Sequence, residues 1–143
     1  MCAKQIAEIY QKFPAVLRAK LINKEMKLPQ GTVFVYDPIP AYRAISRNKN
    51  DNSPFCQKDV LSHADKGKIP KGIPKEKTIE YYAVSLYKNK ENLKNVVKFP
   101  NMKIAFGNVI QENGPQHTRQ WDGHINWWLY ESIDLSGFII EEN

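Results

Sequence analysis

The segment 124–131, His-Ile-Asn-Trp-Trp-Leu-Tyr-Glu, constrains this chain more than any other. Read as a strand, its side chains alternate between faces. Ile125, Trp127 and Leu129 then form an apolar row ending in Glu131, while His124, Asn126, Trp128 and Tyr130 place rings and hydrogen-bonding groups on the other side. A chain that carries this strand needs a core on one face and a cover or a ligand on the other. The carboxylate closing the apolar row must reach solvent, meet a cation or lie in a cleft, because burying it unpaired is costly.

The chain has 143 residues, 42% of them hydrophobic, which suits one domain with a real core. Its apolar runs are too short to cross a bilayer, and Met1-Cys-Ala-Lys-Gln lacks the apolar centre of a signal peptide, so a cytoplasmic protein is expected. Cys2 and Cys56 have no spacing that suggests a disulfide framework or a metal site, and reduced thiols are expected. Charge is unevenly placed: residues 1–100 carry a net +10 and the remainder −4. That asymmetry points to a polyanion or an acidic protein as partner, although scattered lysines also serve solubility.

Apolar residues from Ile6 to Leu21 recur at three- and four-residue steps, with Pro14 among them. Two short helices over 4–12 and 15–24 are expected, or one kinked helix. A helical segment 1–28 thus precedes a mixed sheet with helices over 29–143. Strands are predicted over 32–36 and 41–47, the second placing Arg43, Ile45 and Arg47 on one face. A short helix over 57–66 would carry His63, and the lysine-, proline- and glycine-rich stretch 68–77 reads as a loop and a candidate flap. Next comes a β-α-β pattern: a strand over 79–87, a helix over 90–99 capped by Asn89 and burying Leu93, Val96 and Val97, and a strand over 103–110. Residues 138–140 can add an edge strand. The fold class is α+β, with N-terminal helices packed on a mixed or mostly antiparallel, and conceivably split, β-sheet.

Motifs of high specificity are absent. The seven glycines stand singly, so neither a Walker A loop nor a dinucleotide fingerprint occurs, and there is no nucleophile elbow. Three histidines without short-spaced ligand partners give no zinc pattern, and no metal is expected. His124, with Asn126, Trp128 and Tyr130, can stack and orient a base or a nicotinamide. The alternative is that the N-terminal helices cover these rings.

Arg43 on an early strand, Ser85 in Tyr-Tyr-Ala-Val-Ser-Leu-Tyr ahead of a helix, and Glu131 ending a late strand follow the Arg–Ser–Glu order of ADP-ribosyltransferase domains, which this chain resembles between Tyr42 and Glu131. The resemblance implies a split sheet that binds NAD and a toxin-like transferase. It implies that Arg43 holds an NAD phosphate, Ser85 orders the site and Glu131 bonds the ribose and stabilises the developing cationic sugar. Tyr42, Tyr87, His124 and Trp128 would join Arg43 around the dinucleotide. An arginine fork suits pyrophosphate, and a carboxylate suits an oxocarbenium-like transition state. The family's Ser-Thr-Ser is Val84-Ser85-Leu86 here, and the position two before the glutamate is Leu129.

Two further readings compete with an enzyme acting on a nucleotide or nucleic acid in this way. One is a noncatalytic module that binds nucleic acid or an acidic partner protein in phage-host conflict or regulation. The other is a metal-independent RNase that uses His63, His117 or His124 with Arg47 and Tyr87.

Overall fold

The computed structural model describes residues 2–141. Pro14 does divide the N-terminal segment: α1 (Ala3–Tyr10) and α2 (Ala15–Ile22) are separate helices, with Pro14 at the entry to α2, where its missing amide N–H is no loss. Four longer strands and two short ones follow: β1 (Ile39–Ser46), β2 (Val84–Tyr87), β3 (Met102–Val109), β4 (Gln116–Thr118), β5 (His124–Trp127) and β6 (Ile139–Ile140). Helix α3 (Lys90–Val96) connects β2 to β3. The six strands form one sheet in the order β4-β5-β2-β1-β3-β6, with every neighbouring pair antiparallel. The class is therefore α+β. In the β2-α3-β3 unit the two strands run parallel but are not adjacent, since β1 lies between them.

Pairing is uneven across this sheet. β1 and β3 match along their full length, from Ile39↔Val109 to Ser46↔Met102. β2 and β5 match at four positions, from Val84↔Trp127 to Tyr87↔His124. Between these halves, β1 and β2 pair at Tyr42↔Tyr87 alone. The sheet thus opens into a wedge beyond that pair.

One face carries the main core. Ala41 and Ile45 of β1, Val84 and Leu86 of β2, Ala105 and Val109 of β3, and Ile125 and Trp127 of β5 pack with Phe55, Val60, Leu135 and Phe138. Phe138 lies over Gly107, where an added Cβ would sit 2.5 Å from its ring, so only glycine lets the ring seat. On the opposite face α3 covers only part of the sheet, through Leu93 and Val97 against Tyr87, Ile104, Tyr42 and Met102. A second core joins α1 and α2 to the sheet end: Phe13, Leu17, Leu21 and Met26 enclose Ile79, Ala83, Trp128 and Tyr130.

Alternation over 124–131 persists although the regular strand ends at Trp127. Leu129 packs beside the main core with Ile125 and Trp127, whereas Trp128 and Tyr130 enter the helical one. Both indoles are fully buried and donate to carbonyls, Trp127 to Gly114 at 3.2 Å and Trp128 to Ile79 at 3.0 Å.

Several expected elements are shorter or different. Residues 32–36 form one isolated bridge, Val33↔Gln116, because the β4 edge beside them is only three residues long and leaves Val35 exposed. Residues 79–82 form a 3₁₀ turn rather than the start of β2, which lets Ile79 and Ala83 both face the helical core. Residues 57–60 also make a 3₁₀ turn, capped by the Asp59 carboxylate on the Cys56 amide, and His63 lies beyond it in a loop. Helix α3 stops at Val96, which is 64% exposed, since Val97 adopts extended backbone before Asn101 turns the chain at φ 60°. Its N-cap is Asn89, whose side chain accepts from the amides of Glu91 and Asn92. Among the described residues no helix is long and apolar enough to cross a membrane.

Candidate functional site

Arg43 in β1 and Arg47 just past its end have the same parity but opposite environments. Arg47 is 3% exposed and grips Asp59 with two bonds, Nε to Oδ1 at 2.9 Å and Nη2 to Oδ2 at 2.6 Å. Its remaining donors go to Asp51 and to the carbonyls of Ser53 and Pro54. This arginine pins the 51–59 loop and has nothing left for a ligand.

Arg43 sits where the sheet opens. Its Nε donates to the Asp59 carbonyl at 2.8 Å and its Nη1 to the Ser85 carbonyl at 2.7 Å, so the guanidinium replaces the missing backbone ladder between β1 and β2. Among the described residues it has no carboxylate within ion-pair distance and its Nη2 makes no protein hydrogen bond. Burial weakens its hold on the proton, down to about 10, against the pull of the Asp59 charge.

The wedge is a hollow of about 420 Å³. Ala44–Ser46 and Ala83–Ser85 form its sides, residues of the 58–66 loop its floor, and Leu93, Val97 and Phe99 its other boundary. Lys58, His63 and Lys66 join Arg43 in its lining. Lys58 is held by Asp51. Lys66 has no such partner among the described residues, and burial, then the nearby Arg43 and Lys68 charges, lower its proton affinity. Asp59, the lining carboxylate, is already engaged by Arg47. Two cations without carboxylate partners among the described residues, beside an open hollow, are an arrangement that a phosphate or other anion completes.

Ser85 lies at the mouth. Its Oγ is 2.6 Å from His124 Nε2, and Tyr87, the cross-strand partner of His124, packs against the imidazole with ring centres 5.0 Å apart. Burial, followed by the Arg119 charge, holds His124 below its ordinary value, so the ring is neutral at neutral pH. A neutral imidazole in contact with a hydroxyl can take its proton, the geometry expected of a general base. Asn126 and His117, paired across β5 and β4, continue this face. Among the described residues no group of three or more His, Cys, Asp or Glu converges as a metal site.

The structure thus brings together Arg43, Ser85, Tyr87 and His124 of the residues singled out from sequence. Tyr42 lies under α3, tilted against Phe106 at 4.9 Å, and Trp128 is enclosed by the N-terminal helices. Glu131 is exposed and lines a different hollow of about 500 Å³ with Pro14, Leu17, Tyr82 and Tyr130. Leu61, Ser62 and Val84 contribute to both hollows and stand between them. Glu131 forms no ion pair with Arg43, and its amide bonds the Lys12 carbonyl at 2.8 Å. Sequence reasoning missed Lys66, which a helix over 57–66 would have placed elsewhere, and the Ser85–His124 contact. The equal spacing of both residues from Tyr87 and Asn126 in a paired register was the one signal available.

Comparison with protein-family models, with curated proteins and with solved structures finds no match to this chain.

Proposed function

We propose that the protein is an enzyme acting on a nucleotide or a nucleic acid, with a phosphate held by Arg43 and Lys66 and proton transfer carried out by Ser85 and His124. The observation that carries this reading is Arg43, a half-buried guanidinium beside an open hollow that has, among the described residues, no carboxylate partner and no bond at Nη2. A cation desolvated without a counter-ion is unfavourable unless a ligand supplies the charge, and perturbed groups in a cleft mark functional sites. Neutral His124 would accept a proton from Ser85 Oγ or from a substrate hydroxyl bound in its place. Arg43 would then face the anionic charge that develops one strand away.

ADP-ribosyl transfer from NAD, of a toxin-like kind, is supported within this class by the adjacency of Arg43 and Ser85. It requires Glu131 to act from the neighbouring hollow, which makes it more demanding than phosphodiester chemistry at the Ser85–His124 pair. Arg47 has no place in either, since its donors are taken. A noncatalytic module for a polyanion or an acidic partner draws support from the +10 charge of residues 1–100.

Incubation with NAD and, separately, with single-stranded RNA tests these readings, using Arg43→Ala, Ser85→Ala and Glu131→Gln. Turnover of either substrate that falls at least a hundredfold in the first two variants supports the enzyme. NAD consumption untouched by Glu131→Gln excludes the ADP-ribosyl role of that carboxylate. Absence of any turnover, with tight salt-sensitive binding, leaves the noncatalytic module in its place.

A further inference from the structure

Trp121 is 78% exposed, more than any other large hydrophobic side chain among the described residues, and it is not loosely displayed. It projects from the β4–β5 turn, where Arg119 lies over its ring with the guanidinium 4.4 Å from the centroid. Arg119 is itself fixed by two bonds to Asp122, Nε to Oδ1 at 2.9 Å and Nη2 to Oδ2 at 2.6 Å. The turn is tied down on both sides. Arg119 N donates to His124 O, Gly123 N to Arg119 O and Lys88 N to Gly123 O, while Asn92 of α3 donates to Asp122 O at 2.9 Å. Gly123 takes φ 69° and packs on Lys88, where a Cβ would lie 3.2 Å from the lysine side chain.

An exposed indole held in one pose has already lost the freedom that a flexible one would lose on binding. Beside it is a hollow of about 230 Å³ whose lining includes Lys88, Asn89, Asn92, Thr118 and Gln120. Its one carboxylate, Asp122, is engaged by Arg119, so the patch presents a ring, amides and an ammonium without free negative charge.

We propose that the β4–β5 turn is a stacking site for a base of single-stranded nucleic acid, with Trp121 as the platform and Lys88 meeting the adjoining phosphate. Stacking accepts any base, and a cation beside an aromatic ring is the combination that tracks a single strand. Lys88, the residue after β2, lies three residues from Ser85, about 10 Å at roughly 3.3 Å per residue. A short single strand spans that interval, with a base on Trp121 and a neighbouring phosphate toward Arg43. The assignment rests on the reading of the Arg43 hollow as a phosphate site and narrows its substrate to a polynucleotide.

Trp127 and Trp128 are fully buried, so Trp121 is the indole open to an added quencher, and fluorescence reports this site selectively. The full chain is titrated with an oligouridylate of about ten nucleotides, within the usual span of such sites. Quenching of Trp121 in the wild type, with an affinity read by anisotropy of the labelled oligonucleotide that falls roughly ten- to a hundredfold in Trp121→Ala and is largely kept in Trp121→Phe, is the expected result. Equal binding by wild type and Trp121→Ala, or no binding, overturns the proposal. Protection of Trp121 by raised protein concentration instead of by the oligonucleotide overturns it in favour of self-association. Arg43→Ala separates the two claims: binding lost only there rejects the stacking site and keeps the phosphate site, whereas loss only in Trp121→Ala does the reverse.

Discussion

Asp59→Asn probes the contact that shapes the hollow. The wild-type carboxylate accepts two bonds from Arg47 and one from the Cys56 amide, with side chains only 1% and 2% exposed across the ion pair. Asparagine keeps the shape but turns one acceptor into a donor that faces a guanidinium, leaving a buried cation with only its longer 3.3 Å contact to Asp51. Breaking such a pair costs about 3–5 kcal/mol, a third or more of a typical domain's stability. At a urea m-value of about 2 kcal/mol/M the unfolding midpoint falls by about 1.5–2.5 M. The buried Trp127 and Trp128 provide the fluorescence readout. Burial opposes the charge on Asp59, but bonds from Arg47 and the Cys56 amide outweigh it and hold the carboxyl below its ordinary value. Its contribution is therefore complete above the unfolded pKa of about 3.9 and is lost as pH falls through the folded value. The wild-type advantage over the variant should stay constant from about pH 8 to 5 and shrink below about pH 4. A midpoint shift under about 0.5 M, or a difference that grows on acidification, would refute the reasoning and show that water already solvates this pair.

Three further outcomes follow from single contacts. Gly114→Ala should destabilise by at least about 2 kcal/mol in urea unfolding, because φ is 144° and the new Cβ would lie 2.0 Å from the Trp128 carbonyl oxygen. Asn113→Ala should cost about 1–3 kcal/mol and speed amide exchange at Asp134, whose backbone N–H and C=O both bond the buried Asn113 side chain. In an NMR titration the His124 ring should titrate below its ordinary 6.5, and Arg119→Gln should raise the midpoint by removing a facing cation. Since the fold favours neutral His124, its share of stability, and activity that needs the free base, are present above the unfolded value and decline as pH falls through the folded one.

Strands that face a core on one side were legible because period-two alternation reflects burial directly. Over 124–131 the alternation outlasts the hydrogen-bonded strand: Trp128 and Tyr130 still point away from Trp127 and Leu129 although they enter another core. Where local propensity and packing disagreed, packing decided. Thr-Ile-Glu-Tyr-Tyr over 78–82 is β-branched and aromatic, yet a 3₁₀ turn brings Ile79 and Ala83 onto the same side, against the N-terminal helices. Val33 and Val35 suit a strand equally well, but three residues of β4 offer too short an edge to recruit them. Hydropathy contains no information about the length of a partner edge.

Arg43 of β1 and Arg47 just after it show why a site is harder to read than a strand. Both have the same parity, both follow the core-facing side of the strand, and nothing in their local sequence separates them. The difference arises 12 residues beyond Arg47, where Asp59 is steered back by its own cap on the Cys56 amide and delivers a carboxylate to one guanidinium and a main-chain carbonyl to the other. A carboxylate neutralises charge; a carbonyl only orients it. Arg47 becomes a structural rivet and Arg43 remains a positioned, uncompensated cation. Exchanging the supply should therefore exchange the properties: Lys66→Glu, which puts an exposed carboxylate in place of the cation next to Arg43 in the lining of the hollow, is expected to abolish phosphate binding there while leaving the Arg47–Asp59 pair intact. Isothermal titration with inorganic phosphate or a dinucleotide reads the first, and the urea midpoint difference made by Asp59→Asn in that background reads the second. Undiminished anion binding in Lys66→Glu would mean that Arg43 is not the group that attracts the ligand.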